Sequence, residues 1–424
     1  MGDAMSAEAS PFDRMRTIAD AVLLEGYLLY PYRSTAPKNQ FRWAFGVVAP
    51  QAFSVGGGDE PWWMQAQLPL EGEGAAVEGR VRFLRLQRRD VEASDAGTFR
   101  AVDRLEAGGD LHLSWDEAVV EEIAFAIEPG DDRRRVDFSL AGWQSTEALG
   151  DAGRIVRRRW PIEGTLHLRS VPLGAGLRRV EIRVENHTPC PPGAGRDEAL
   201  RFSLLSTHVL LAARGGAFVS LLDPPPFATD AAARCENVRA FPVLAGPPGD
   251  RHLALASPII LYDHPQIAPE SPGDFFDATE IDELLSLRTA LLTDEEKRLA
   301  RATDPRAAAI VDRVDALGAT AWERMHGATR DLSRAEMVPR TAIGTGDRVR
   351  LRAPSRRTDA QDLLYAGMLA TVEKVFDDVD GTRFLAVTID GDPGADLHRW
   401  YGRFHYYRPD EVELVERARA EAAP

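Results

Sequence analysis

Alternation of apolar and polar residues over two positions is the feature that most restricts what this chain can become. It is clearest where Val180, Ile182 and Val184 are separated by Glu181, Arg183 and Glu185, and it recurs in Val81 and Phe83 and in Val136 and Phe138. Successive side chains of an extended backbone point to opposite faces, so this period predicts strands with one buried face. Runs of the same type, among them WAFGVVA, WWMQAQLPL, VVEEIAFAI, GTLHLRSV, RFSLLSTHVLLAA, FVSLLD and SPIILYDH, fill the chain from Gly26 to about Leu261. Between them lie turn-rich breaks such as VGGGDEP, EAGGD, EPGDD and PCPPGAG. Many strands with few intervening helices predict a mainly β fold, a large antiparallel β-sandwich over 16–262.

At 424 residues the chain exceeds one ordinary domain of roughly 100–200 residues, so more than one domain is expected. Residues 1–15 read as a flexible N-terminus, followed at once by helical spacing of Met15, Ile18, Ala19 and Val22. The period changes again at 263–330, which reads as an acidic loop with helices packed on the sandwich. Asp277 or Thr279 can cap a first helix through Leu284, Leu285 and Leu287, and Thr293 with Glu296 fits a capping box. Pro305 suits the first position of a third helix, whose apolar stripe is Ile310, Val314, Leu317 and Ala321. Residues 331–345 read as a linker. Short strands and Asp-Gly turns over 346–416 predict a small C-terminal open β-barrel, with Trp400, Tyr401, Phe404, Tyr406 and Tyr407 as core or contact face. Residues 417–424 form a tail.

Charge and cysteine usage exclude whole classes of function. A net charge of −15 opposes nucleic-acid binding, which needs a basic footprint. Arginines do cluster at Arg80, Arg82, Arg85, Arg88 and Arg89 and at Arg157, Arg158 and Arg159, but interleaved with apolar residues, which predicts a solvated strand face. With only Cys190 and Cys235, the chain alone cannot supply a disulfide framework, a four-cysteine zinc site or an iron–sulfur cluster. No run approaches the roughly 18 apolar residues of a membrane span. The start MGDAMSAEASPFDRMR lacks the basic and apolar parts of a signal peptide, so no membrane partner and a cytoplasmic location are expected.

Catalytic motifs are missing from the sequence. No GxxxxGKS loop, GxGxxG turn or GxSxG elbow occurs, and the nine histidines never fall in HxxxH or HExxH spacing. The expectation is therefore no cofactor, no metal and no catalytic residue. Two stretches point to a protein partner instead. In the first, Tyr30, Tyr32, Arg33, Lys38 and Asn39 combine amphipathic rings with cations, a hot-spot composition. The second, from Asp263 to Glu296, carries ten carboxylates against one arginine; Asp263, His264, Glu270, Asp274, Asp277 and Glu280 are its candidate contact residues. The competing expectation is a hydrolase or metal-dependent enzyme centred on His264 and these carboxylates, joined by His208.

The segments YLLYPYRSTAPKNQFRWAFG, SLLDPPPF and IILYDHPQIAPESPGDFFDATEIDELLSLRTALLTDEEK, with TGDRVRLRAPSRRTDAQDLLYAGMLATVEKVF and AVTIDGDPGADL, carry a resemblance. Together they resemble a family associated with bacterial gene clusters for nickel–iron hydrogenases, over about residues 20–415. The C-terminal part looks like a module also met in other hydrogenase-linked accessory proteins. What the resemblance implies is a role beside the hydrogenase, in maturation, subunit assembly or attachment, and no catalytic residues.

Overall fold

The computed structural model describes residues 10–40, 42–95, 97–268, 271–277, 281–318, 344–352, 367–377, 383–390 and 405–416. With 44% strand and 20% helix, the chain is mainly β. It divides into two compact units, Met1–Gly327 and Ala328–Pro424.

Two antiparallel sheets make the centre of the first unit. One runs in the order β13 (Ala217–Phe218), β1 (Trp63–Glu71), β11 (Leu177–Asn186), β10 (Ile162–Gly174), β7 (Arg133–Leu140). The other runs β14 (Phe241–Leu244), β15 (Leu253–Ser257), β12 (Leu205–Arg214), β2 (Ala76–Asp95), β9 (Gly153–Arg159), β8 (Trp143–Ala148), and β3 (Thr98–Val102) and β6 (Trp115–Ile127) also pair with β2. A small hairpin joins β4 (Arg104–Ala107) to β5 (Asp110–Leu113). The 20-residue β2 is the spine, since its first part pairs with β12 and β6 and its later part with β9 and β3. Its Gly79 lies opposite Phe125, whose ring occupies the space a side chain there would need.

The alternation places one face of each sheet in a shared core. Met64, Ala66, Leu68, Val180, Ile182 and Val184 from the five-stranded sheet meet Val77, Val81, Phe83, Val209 and Leu211 from the other. The reverse face of the eight-stranded sheet is covered too. Helix α1 (Asp13–Leu24) lays Met15, Ala19 and Val22 over Leu210 and Ala212 of β12. Both faces of β12 are thereby buried, which is why its sequence reads as an almost unbroken apolar run.

Short helix α2 (Gln51–Val55) precedes β1, and α3 (Arg196–Ala199) and α4 (Thr229–Ala233) link strands. Three further helices follow: α5 (Asp282–Ala290), α6 (Asp294–Thr303) and α7 (Pro305–Asp315). Ile310, Val311 and Val314 of α7 and Leu285 of α5 join Leu84 and Leu86 of β2 and Trp115 and Ala118 of β6 in a second apolar cluster. Thr293 and Glu296 form the expected capping box, and Asp304 caps α7 ahead of Pro305. The expected cap of α5 is corrected: its N-cap is Ile281, without a side-chain bond, and Asp277 is buried elsewhere. Among the described residues no helix is long and apolar enough to cross a membrane.

The arginines of β2 are a second correction. Arg82, Arg85 and Arg89 are 3%, 3% and 8% exposed, not solvated. Period two sends Arg82 to one face of β2 and Arg85 and Arg89 to the other, and on both faces the neighbouring layer matches each guanidinium inside the protein. Arg82 meets Asp20 of α1 at 2.5 Å, and Arg85 donates to Trp160 O, Ala141 O and Glu121. Arg89 donates to Glu117 and to the carbonyls of Leu113, Ala302 and Thr303 at the end of α6.

In the second unit, five antiparallel strands run in the order β19 (His405–Tyr407), β18 (Arg383–Ile389), β17 (Leu369–Asp377), β16 (Arg348–Leu351), β20 (Val412–Glu416). Val349, Val372, Leu385, Val387, Tyr407 and Val412 pack together, so Tyr407 belongs to the core. Pairing follows an open path, and among the described residues no ladder closes it. Trp400, Tyr401 and Phe404, the 331–343 part of the linker and the 417–424 tail lie outside the described residues.

Candidate functional site

The aromatic and basic stretch between Glu25 and Gly46 is an internal fastening for α5–α7. Asn39, 6% exposed, accepts from the Leu29 amide at 2.9 Å and donates to the carbonyls of Leu29 and Arg33, which closes the loop on itself. The Tyr27 hydroxyl donates to Asp304 at 2.6 Å, and burial followed by the Asp304 charge pushes its pKa up. Arg42 lies 3.7 Å from the Trp115 ring centre and 4.6 Å from that of Trp43, and donates to the carbonyls of Tyr27 and Asp116. Desolvation lowers its pKa to about 10, so it stays charged at neutral pH.

The five residues proposed from this stretch divide by burial. Tyr32 is wholly buried, edge-on to Tyr30 at 5.8 Å, and offers no surface. Burial and the nearby Asp277 raise its pKa. Tyr30 is half-buried, its hydroxyl donating to the Arg288 carbonyl of α5 at 3.4 Å. Arg33 pairs with Glu296 at 3.1 Å and Lys38 with the buried Asp277 at 3.6 Å. Except for Asn39, these side chains reach toward α5, α6 and the segment that precedes them.

Asp263 and His264 serve a different place. The Asp263 carboxylate accepts from the Leu244 amide at 2.8 Å and from the Ser220 hydroxyl at 2.5 Å. His264 adopts a left-handed backbone, φ 57°; its amide donates to Leu244 O and its Nδ1 meets Gly246 O at 2.8 Å. Both side chains pin the loop to the edge strand β14. His208 is buried beneath α1, its Nδ1 on Ser206 O, and burial lowers its pKa to about 4. Among the described residues no group of three or more His, Cys, Asp or Glu is arranged to hold a metal ion. Asp274 contributes its carbonyl, which accepts from Arg313 at 2.5 Å. Glu270 and Glu280 lie outside the described residues.

Helix α5 carries an inversion that the sequence reading missed. Ser286 and Thr289 face inward at 0% exposure, whereas Leu287 and Leu291 are 44% and 83% exposed and Ile281 68%. The Thr289 hydroxyl is satisfied by the Leu285 carbonyl at 2.7 Å, so the inward polar face is not a packing fault. Leu287 and Leu291, four residues apart, stand on one side of the helix. Asp282, Glu283, Asp294 and Glu295 surround them in sequence. Burial raises the pKa of Asp282. The only signal in the sequence was spacing: Leu285 and Leu292 fit the inward face, and Leu287 and Leu291 do not.

A second group escaped the sequence reading, on the outer face of the five-stranded sheet. Gln67, Glu181 and Glu185 are 3%, 6% and 9% exposed there. Glu181 accepts from Gln67 at 2.8 Å; Glu185 accepts from Arg183 at 2.6 Å and faces His167 at 3.0 Å and His187 at 3.2 Å. Hydrogen bonds from Arg183 and His167 hold the Glu185 carboxyl below its ordinary range against the opposing effect of burial. The segment after α4 forms a wall: Glu236 N donates to Gln67, and Asn237 clamps the Gln67 backbone. Compared with models of known protein families and with curated proteins, the chain matches none.

Proposed function

We propose that this chain is a non-catalytic accessory or scaffold protein that holds a partner protein against helix α5. The observation that carries this reading is the inverted helix, with hydroxyls inside and Leu287 and Leu291 outside. A leucine moved from water into an interface contributes ~1.5–3 kcal/mol, so two exposed leucines and Ile281 form an anchor of useful size. The carboxylates that border them favour a partner whose apolar contact is rimmed by Lys or Arg, because opposite charges steer and orient an encounter. Tyr30 holds α5 itself, and Lys38 before it and Arg33 and Tyr27 after it hold the flanking segments at Asp277, Glu296 and Asp304, which supports α5 as a platform.

In this reading the two central sheets act as a β-sandwich frame and the C-terminal sheet as a small open β-barrel, in a cytoplasmic protein. The resemblance to proteins of nickel–iron hydrogenase clusters supports a hydrogenase subunit or maturation factor as the partner. The test is affinity purification of the tagged protein from its native cells, beside the Leu287→Ser/Leu291→Ser double variant. Hydrogenase proteins recovered with the parent and lost with the variant are the expected result. Equal recovery with both removes α5 from the interface. Stoichiometric metal that disappears in His264→Ala would favour the enzyme reading instead.

A further inference from the structure

The outer face of the five-stranded sheet is laid out in rows by the strand register. One row reads Arg133 on β7, Arg169 on β10, Glu181 on β11 and Gln67 on β1. The next reads Arg135, His167, Arg183 and Gln65. Apart from Arg135, the residues of these rows line an open cavity of about 370 Å³, walled by Glu236 and by Arg179. That volume suits a small molecule and not an extended polymer.

The lining carries four arginines, Arg133, Arg169, Arg179 and Arg183, against three carboxylates, Glu181, Glu185 and Glu236, an excess of one positive charge before His167 is counted. The Glu185 carboxylate is taken up by Arg183 and two histidines, and Glu181 by Gln67 with Arg169 at 3.6 Å. Arg133 and Arg179 have no carboxylate in ion-pair range among the described residues. The buried Nε of Arg179 has no hydrogen-bond partner there, and its guanidinium otherwise donates to Arg234 O. Arg133 stands directly across from Arg169. Like charges in directly opposed positions of an antiparallel pair destabilise it, and a bound anion between them reverses the sign.

We infer that this cavity binds a small, multiply charged oxyanion, a phosphorylated or polycarboxylate metabolite, with Arg133, Arg169 and Arg179 as its ligands. Guanidinium forks match carboxylate and phosphate oxygens in pairs, whereas a neutral polyol would leave the excess charge unmet. Buried Gln67 and Glu181 hold the floor in place before binding, so little order is lost when the ligand arrives. The inference uses the open sheet face and is independent of the partner surface on α5.

Calorimetric titration of the full chain at low salt tests it, with citrate and fructose 1,6-bisphosphate as probes of the two sources, inorganic phosphate as the minimal anion and glucose as the neutral control. We expect saturable binding of citrate or the bisphosphate, tighter than phosphate, no binding of glucose, and weakening as salt rises. Arg133→Gln/Arg169→Gln should weaken the preferred probe at least ten-fold, whereas Arg100→Gln on β3 should not. The unliganded Arg133→Gln single variant, which keeps the Arg169–Glu181 pair, should melt at or above the parent temperature, because a repulsion is removed. No saturable binding of any anion, parent affinity in the double variant, glucose binding as well as the anions, or a lower melting temperature of the unliganded single variant would overturn the proposal.

Discussion

The two sheets of the first unit show the same sequence signal, arginines alternating with aliphatic residues, and use it oppositely. On the five-stranded sheet, Arg183 sits between the core residues Ile182 and Val184 and points the other way, to a polar surface where it pairs with Glu185 and lies 3.8 Å from the Trp63 ring centre. On the eight-stranded sheet, Arg82, Arg85 and Arg89 run into helices and backbone carbonyls and are almost wholly buried. Alternation says which side of a strand a residue takes, but what lies on that side depends on the next layer. A guanidinium suits both settings because its five donors can be matched by carbonyls as well as by carboxylates.

The largest expected effect separates these settings directly. Arg89→Ala leaves three carbonyls without their donor and strips one of its cations from Glu117, which keeps Gln87 and Arg157, and should cost about 3–5 kcal/mol in chemical denaturation. Arg183→Ala on the open face should cost no more than about 1 kcal/mol. Equal losses would break the distinction between a covered and an open face.

Acid provides the next test, through His208 under α1. Its folded pKa of about 4 lies below the ordinary 6.5, so between those values the unfolded chain binds the extra proton. The contribution is present above pH 6.5 and is lost as pH falls toward 4, by about 3 kcal/mol. Replacing His208 by Asn should flatten that part of the stability–pH curve; an unchanged slope would mean that the covered face admits the proton.

Smaller still is Tyr27→Phe, which removes the hydroxyl from the buried Asp304 and should cost about 1.5–3 kcal/mol. Because that bond fastens α7, hydrogen exchange in α5–α7 should rise more than in the sheets. The smallest effect is assigned to Leu287→Ser/Leu291→Ser, whose stability should stay within about 0.5 kcal/mol of the parent per site. Leu285→Ala, on the inward side of the same helix, should lose about 2–5 kcal/mol. A large loss in the outward pair would show that the exposed leucines are structural.

Much of the local structure was legible in the sequence. The β character of the chain follows from Val180–Val184 and its like, because period two matches only an extended backbone. The starts of α6 and α7 follow from Thr293, Glu296, Asp304 and Pro305, because first-turn amides need acceptors and proline lacks the amide hydrogen. These signals act over a few residues and need no knowledge of distant neighbours. The role of Asp277 was not legible, since a carboxylate before a helix serves equally as a cap or as a partner for Lys38.

Tertiary structure alone decided where the arginines of β2 end, that Ser286 and Thr289 turn inward while Leu287 and Leu291 turn out, and that Arg133 faces Arg169. Each depends on residues tens or hundreds of positions apart. Arg89 meets Thr303 across 214 positions and Tyr27 meets Asp304 across 277. Local pattern determines backbone state and the side to which each residue points; layer packing and strand register, set by long-range burial, determine whether that side is core, clamp or binding surface.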